Sequence, residues 1–225
     1  MTQSRQKEES VTTKGQRPTI LVSSTVYGIE ELLDRIYTVL TTFGYEVWMS
    51  HKGTLPVRSD KTAFDNCLAA VDACDLFLGI ITPDYGTGRD GKEISITHQE
   101  LQRAIALKKP RWLLAHQSVV FARRLLRDLG HKTPTERAKL LLAKGSKSLG
   151  DLRVIDMYEE AILDTRPLPE RHGNWVQEFD SNEAALLYAS AQFSRVQEVE
   201  KFLKENLSDP GSVVAATQPT QGGKP

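Results

Sequence analysis

Leu76–Ala104, LFLGIITPDYGTGRDGKEISITHQELQRA, is the stretch whose reading decides the fold. Leu76 to Thr82 is almost wholly apolar and β-rich, the pattern of a strand buried on both faces. Pro83 and three glycines (Gly86, Gly88, Gly91) then make a turn-rich loop, and a helix follows over Thr97–Leu107. A strand feeding a glycine-rich loop and a helix is half of a βαβ unit. In such units ligands bind at the carboxyl end of the strand, beside the helix N-terminus. Glu100 lies in what reads as the first helical turn, and two readings of it stay open. It is a carboxylate facing a ligand, or Thr97-His98-Gln99-Glu100 is a capping box in which Glu100 folds back on its own backbone.

Working outward, Thr19–Ser24 (TILVSS) is a short buried strand, and Ile29–Phe43 carries apolar residues at helical spacing until Gly44 ends it. Tyr45–Met49 reads as a second strand, Phe64–Ala73 as a helix and Arg111–Ala115 as a fourth strand. Alternation of this kind predicts a parallel sheet covered by helices on both faces. Because crossovers are right-handed, every strand then ends on one edge. Beyond Ala115, helices are expected over Val119–Leu129, Thr135–Leu142 and Asp151–Leu163. A last strand follows over Asn174–Phe179, and a long helix over Asn182–Asn206. The expected architecture is an α/β, doubly wound, five-stranded parallel sheet with a helical insertion (about 118–166) before the fifth strand. One ordered domain spans 18–207, between polar segments 1–17 and 208–225 expected to be disordered.

Composition narrows the partners. Lysine plus arginine and aspartate plus glutamate both number 29, so no net field recruits nucleic acid or acidic membrane. The basic run Arg123–Lys147 reads as a solvated face of the insertion ahead of a phosphate or RNA contact. Cys67 and Cys74 lack metal-ligand spacing, and two cysteines make no disulfide framework. No apolar run is long enough to span a membrane, and the first residues lack a signal-peptide core. A reduced, cytoplasmic setting is expected, with no metal and no required cofactor.

The carboxyl edge gathers the chemistry. Ser23, Ser24 and Thr25 offer hydroxyls and backbone N–H groups to a phosphate or ribose, or else cap the next helix. Trp48 and Tyr85 offer rings for stacking, with core packing the commoner use of Trp48. Asp84 can hold ribose hydroxyls or serve the Pro-Asp-Tyr-Gly turn. Thr97 completes the candidate binding set. The loop matches neither the Walker nor the Rossmann fingerprint, and His51 and His98 lack the companions a metal site needs.

The order SST, GYEVW, CDLFLGI, YG…SIT-x-x-E, then KP before the next strand resembles an uncharacterised bacterial family catalogued as domain of unknown function 4062. The core is also similar to Toll/interleukin-1 receptor (TIR) domains and, more remotely, to nucleoside deoxyribosyltransferases, and the resemblance to all three implies a flavodoxin-like sheet. In TIR domains that cleave NAD, a glutamate occupies a pattern resembling x-x-E-L-x-x-A, matched here by His98–Ala104. The resemblance implies an NAD glycohydrolase or related N-glycosidase in bacterial, antiphage-type signalling. Glu100 would be its catalytic carboxylate, NAD its substrate, and a homo-oligomer its working form with an effector or NTPase partner. A non-catalytic interaction module and a nucleotide sensor that binds without cleaving are the alternatives.

Overall fold

A computed structural model describes residues 17–88, 94–146, 148–195, 198–199, 201 and 205. Its strands are β1 (Thr19–Ser24), β2 (Glu46–Trp48), β3 (Leu76–Ile81), β4 (Arg111–His116) and β5 (Val176–Phe179). All pairings are parallel, in the order β2-β1-β3-β4-β5. This is the flavodoxin-like order expected from the sequence.

Strand period decides the layers. Leu21, Trp48, Phe77, Ile81 and Leu113 face one side, where α2 (Ala63–Ala73), α3 (Ile96–Ala106), α4 (Gln117–Asp128) and α6 (Arg153–Ala161) cover them. Ile20, Val22, Leu78, Ile80 and Leu114 face the other, under α1 (Glu30–Thr42) and α7 (Asn182–Phe193). Each fully buried Leu or Ile contributes about 1.5–3 kcal/mol of transfer free energy, so the two layers dominate stability. Asp75, at the opposite edge, accepts hydrogen bonds from the Thr19 backbone N–H and hydroxyl, both at 2.8 Å, and so pins the start of β1.

Gly79 in β3 marks a tight approach. A Cβ there would lie 2.7 Å from Leu113 Cδ2 and 3.0 Å from the Phe77 ring. Gly79→Ala is therefore expected to cost about 1–3 kcal/mol by overpacking, read as a lower urea midpoint with unchanged slope.

Three expectations are corrected. The helix expected over Thr135–Leu142 is only α5, Pro134–Arg137. A Thr133–Glu136 capping box starts it, but Leu141 beyond it is 95 % exposed, so no apolar stripe meets a core to propagate it. The final helix, expected to run unbroken to Asn206, breaks after Phe193 with Ser194 as its C-cap; Glu198, Val199, Lys201 and Glu205 are helical again, and the other residues from 196 on lie outside the described residues. The basic run is a solvated face only in part: Arg124, Lys132, Lys139 and Lys144 are exposed, but three arginines turn inward to carboxylates. Arg123 pairs with Glu159 and Asp164, both at 3.0 Å, and Arg137, 2 % exposed, pairs with Asp156 and Glu159. These pairs staple α4 and α5 to α6, while Lys147 falls outside the described residues. So do the expected disordered ends, apart from residue 17. No described helix is long and apolar enough to cross a membrane.

Candidate active site

β1 and β3 are neighbours whose chains leave in opposite directions, β1 toward β2 and β3 toward β4. Their carboxyl ends form the switch point at which open α/β sheets bind ligands. Ser23 has the same strand parity as Leu21, so its side chain points into the layer of α2 and α3. There its hydroxyl donates to Oε2 of Glu100.

The position of Glu100 follows from where α3 begins. Ser95 is the N-cap, its hydroxyl accepting from the His98 N–H at 3.3 Å. The helix therefore starts two residues before the Thr97 box expected from the sequence, and Glu100 lies beyond its first turn. Within the helix Thr97, Glu100, Leu101 and Ala104 share a buried stripe, with Leu101 and Ala104 in the same core layer as Leu21 and Phe77. The capping-box reading of Thr97 and Glu100 is thus wrong. Thr97 is buried within the helix, and Glu100 is directed at β1 instead of its own N-terminus.

Glu100 is 7 % exposed. Burial pushes its carboxyl up to about 7, opposed by the hydrogen bonds from Ser23 and from the Cys67 thiol on α2. The same burial, with the neighbouring carboxylate second, pushes Cys67 up to about 12, so that thiol stays protonated and a donor. Ser23→Ala removes a bond that lowers the Glu100 value. The variant should titrate at still higher pH, as read from the side-chain carboxyl carbon by NMR; an unchanged midpoint would contradict the bond.

The remaining edge residues mostly hold one another. Ser24 is half-buried and donates to the carbonyls of Ile80 (3.1 Å) and Thr25 (2.9 Å). The hydroxyls of Thr25 and Thr82 lie 2.6 Å apart, and both reach the Asp84 carbonyl. The Asp84 side chain is exposed at the rim. Gly86 has φ +79, and a Cβ there would sit 2.7 Å from Thr25 Cγ2, so close approach to Thr25 and a left-handed backbone both demand glycine.

The two aromatic candidates are placed differently from a stacking pair. Trp48 is 8 % exposed in the core, its indole N–H donating to Glu46 at 2.9 Å. Tyr85 is buried too, its hydroxyl 2.7 Å from His98 Nδ1 and its ring under the Arg153 guanidinium at 4.7 Å. Nε2 of His98 lies 3.2 Å from Glu160 Oε2. Burial raises the Glu160 carboxyl, but His98 and Gln102 outweigh it and hold the group below its ordinary range. His51, by contrast, sits 3.8 Å from Asp34.

Sequence reasoning therefore missed Cys67, Ser95, Arg153 and Glu160. Ser95 was visible as a capping residue type two residues too early for the box. Arg153 and Glu160 reach the edge from the insertion, through contacts that no local spacing announces. No group of described residues could hold a metal ion. The glycine loop from 89 to 93 lies outside the described residues.

No curated protein matches the chain. Among solved structures, a 2-deoxyribosyltransferase from the psychrotolerant bacterium Bacillus psychrosaccharolyticus is 25 % identical, with a TM-score of 0.32, over 43 % of this chain and 72 % of its own. Residues 19–141 match the family model described as Domain of unknown function (DUF4062). That span covers more than half of the sequence and runs from β1 through the Ser23–Glu100 pair to just past α5, and the chain belongs to this family.

Proposed function

We propose that the β1–β3 edge is a nucleotide N-glycosidase site, with NAD as the leading substrate and Glu100 as the working carboxylate. One observation carries this reading. A glutamate at the switch point is buried, poised near neutrality and aimed at the end of β1, where a helix cap would have turned it back on itself.

Cleavage of the bond between the anomeric carbon and nicotinamide needs little acid catalysis. The bonding pair leaves with the ring nitrogen, and the base departs neutral. Ionised Glu100 then offsets charge on the oxocarbenium-like transition state or bonds to the anomeric carbon. Water supplies the oxygen that ends on that carbon and gives up a proton. Ser23 holds the carboxylate and favours its ionised form. Ser24 and Thr25 supply hydroxyls for ribose or phosphate, and Asp84 at the rim supplies a carboxylate for ribose hydroxyls. The setting proposed is cytoplasmic bacterial defence signalling, with an effector or NTPase partner.

A second reading has its own support. Glu100 is already satisfied by Ser23 and Cys67, which suits a structural pin in an interaction or nucleotide-sensing module. Incubating the full chain with NAD across a wide protein concentration range, with calorimetry alongside, separates the two. Released nicotinamide supports the glycosidase. Heat of binding without product supports the sensor, and neither signal supports the interaction module.

A further inference from the structure

Helix α4 turns Val119 and Val120 into the core, with Ala122 and Leu126 at its boundary. Its outer face carries Phe121, Leu125 and Leu129, which are 65 %, 44 % and 64 % exposed. Four-residue spacing places them in one stripe about 12 Å long. Single exposed apolar residues need no explanation, but a contiguous stripe of three large ones does.

The flank of this stripe is charged in a particular way. Arg124 is exposed, and its nearest carboxylate, Glu178, is 4.0 Å away. Asp128, one turn further and on the same side, is exposed and makes no ion pair or side-chain hydrogen bond among the described residues. The face thus presents one weakly paired cation and one unpaired anion beside an apolar stripe.

We propose that this face is a homodimer interface in which α4 packs antiparallel against α4 of a second copy about a two-fold axis near Leu125. The pattern is self-complementary, as an isologous contact requires. Antiparallel packing about Leu125 sets Phe121 against Leu129 of the second copy and Leu125 against its own equivalent. In that arrangement each flank meets the same flank, so Arg124 of each copy reaches Asp128 of the other. A partner of different sequence would not need the charges to answer each other across a two-fold axis. One helix face is smaller than the roughly 800 Å² per partner of a standard interface, so the association is weak and concentration-dependent, on the order of tens of micromolar.

Sedimentation velocity on the full chain from about 1 to 500 µM tests this. A monomer–dimer equilibrium is expected, with Leu125→Asp monomeric throughout and unchanged in its melting curve. Arg124→Asp and Asp128→Arg should each weaken the dimer about fivefold or more, and the double swap should restore it to within about twofold. A monomer at every concentration, a dimer indifferent to Leu125→Asp, or a swap that fails to restore would overturn the proposal.

Discussion

Glu100→Gln is expected to lower base release at least ~1,000-fold while making the protein more stable above pH 7. The amide keeps the shape and can still accept from Ser23, but it can neither carry the negative charge nor bond to an anomeric carbon. The stability gain follows from the raised carboxyl. Below about pH 4.5 Glu100 is protonated in both the folded and unfolded chain and contributes nothing pH-dependent. Between about 4.5 and 7 the unfolded glutamate ionises while the folded one holds its proton, so stability falls as pH rises. Above 7 the penalty is complete, about 3 kcal/mol. Gln removes it. Melting temperatures should coincide near pH 4 and separate by roughly 6–12 °C at pH 8. A difference that does not change with pH would mean that Glu100 is not held protonated by burial. Few substitutions at a structural pin would raise stability; loss of activity with a gain in stability is the signature of a strained functional group.

The second large effect lies in the insertion. Arg137 donates from Nε to Asp156 at 3.0 Å, from Nη2 to Asp156 and to Glu159 at 2.7 Å, and from Nη1 to the Lys132 carbonyl at 3.0 Å. Arg137→Met should cost about 2–4 kcal/mol, because it leaves Asp156, a half-buried carboxylate with 22 % exposure, without its cation. Glu159 keeps Arg123 and Arg127, at 3.0 and 3.3 Å, so the loss concentrates on Asp156. Burial already raises that carboxyl, with Arg137 opposing. Without the arginine it titrates higher still, and the deficit should shrink as pH falls and Asp156 takes up a proton. Adding Asp156→Leu should recover most of the stability, since an apolar pair of similar volume needs no counter-charge. Urea denaturation at two pH values measures both. A deficit below about 1 kcal/mol would show that the triad is solvated.

The sheet was legible because its signals are local and strong. TILVSS and LFLGIIT are apolar runs that suit only buried strands, and Gly44 stops its helix where the pattern says. The start of α3 was not legible. Thr97-x-x-Glu100 matches a capping box as well as any sequence can, and Ser95 two residues earlier is an equally good capping residue. The cap is Ser95, which is wholly buried, and with the helix begun two residues earlier Glu100 no longer holds the capping-box position; it lies on the buried face with Leu101 and Ala104. The Ser23–Glu100 contact follows once both phases are known, because strand parity and helix phase each place one partner in the same layer. The contacts of Tyr85 with Arg153 and of His98 with Glu160 join segments more than sixty residues apart. Only the docking of the insertion creates them.

The pH dependence of nicotinamide release bears most directly on whether Glu100 is the group at work. Since the ionised form acts, kcat/KM should rise about tenfold per pH unit below about 7 and level off above it, with the inflection moved upward in Ser23→Ala. An inflection near 4.5, or release that Glu100→Gln leaves intact, would contradict the account.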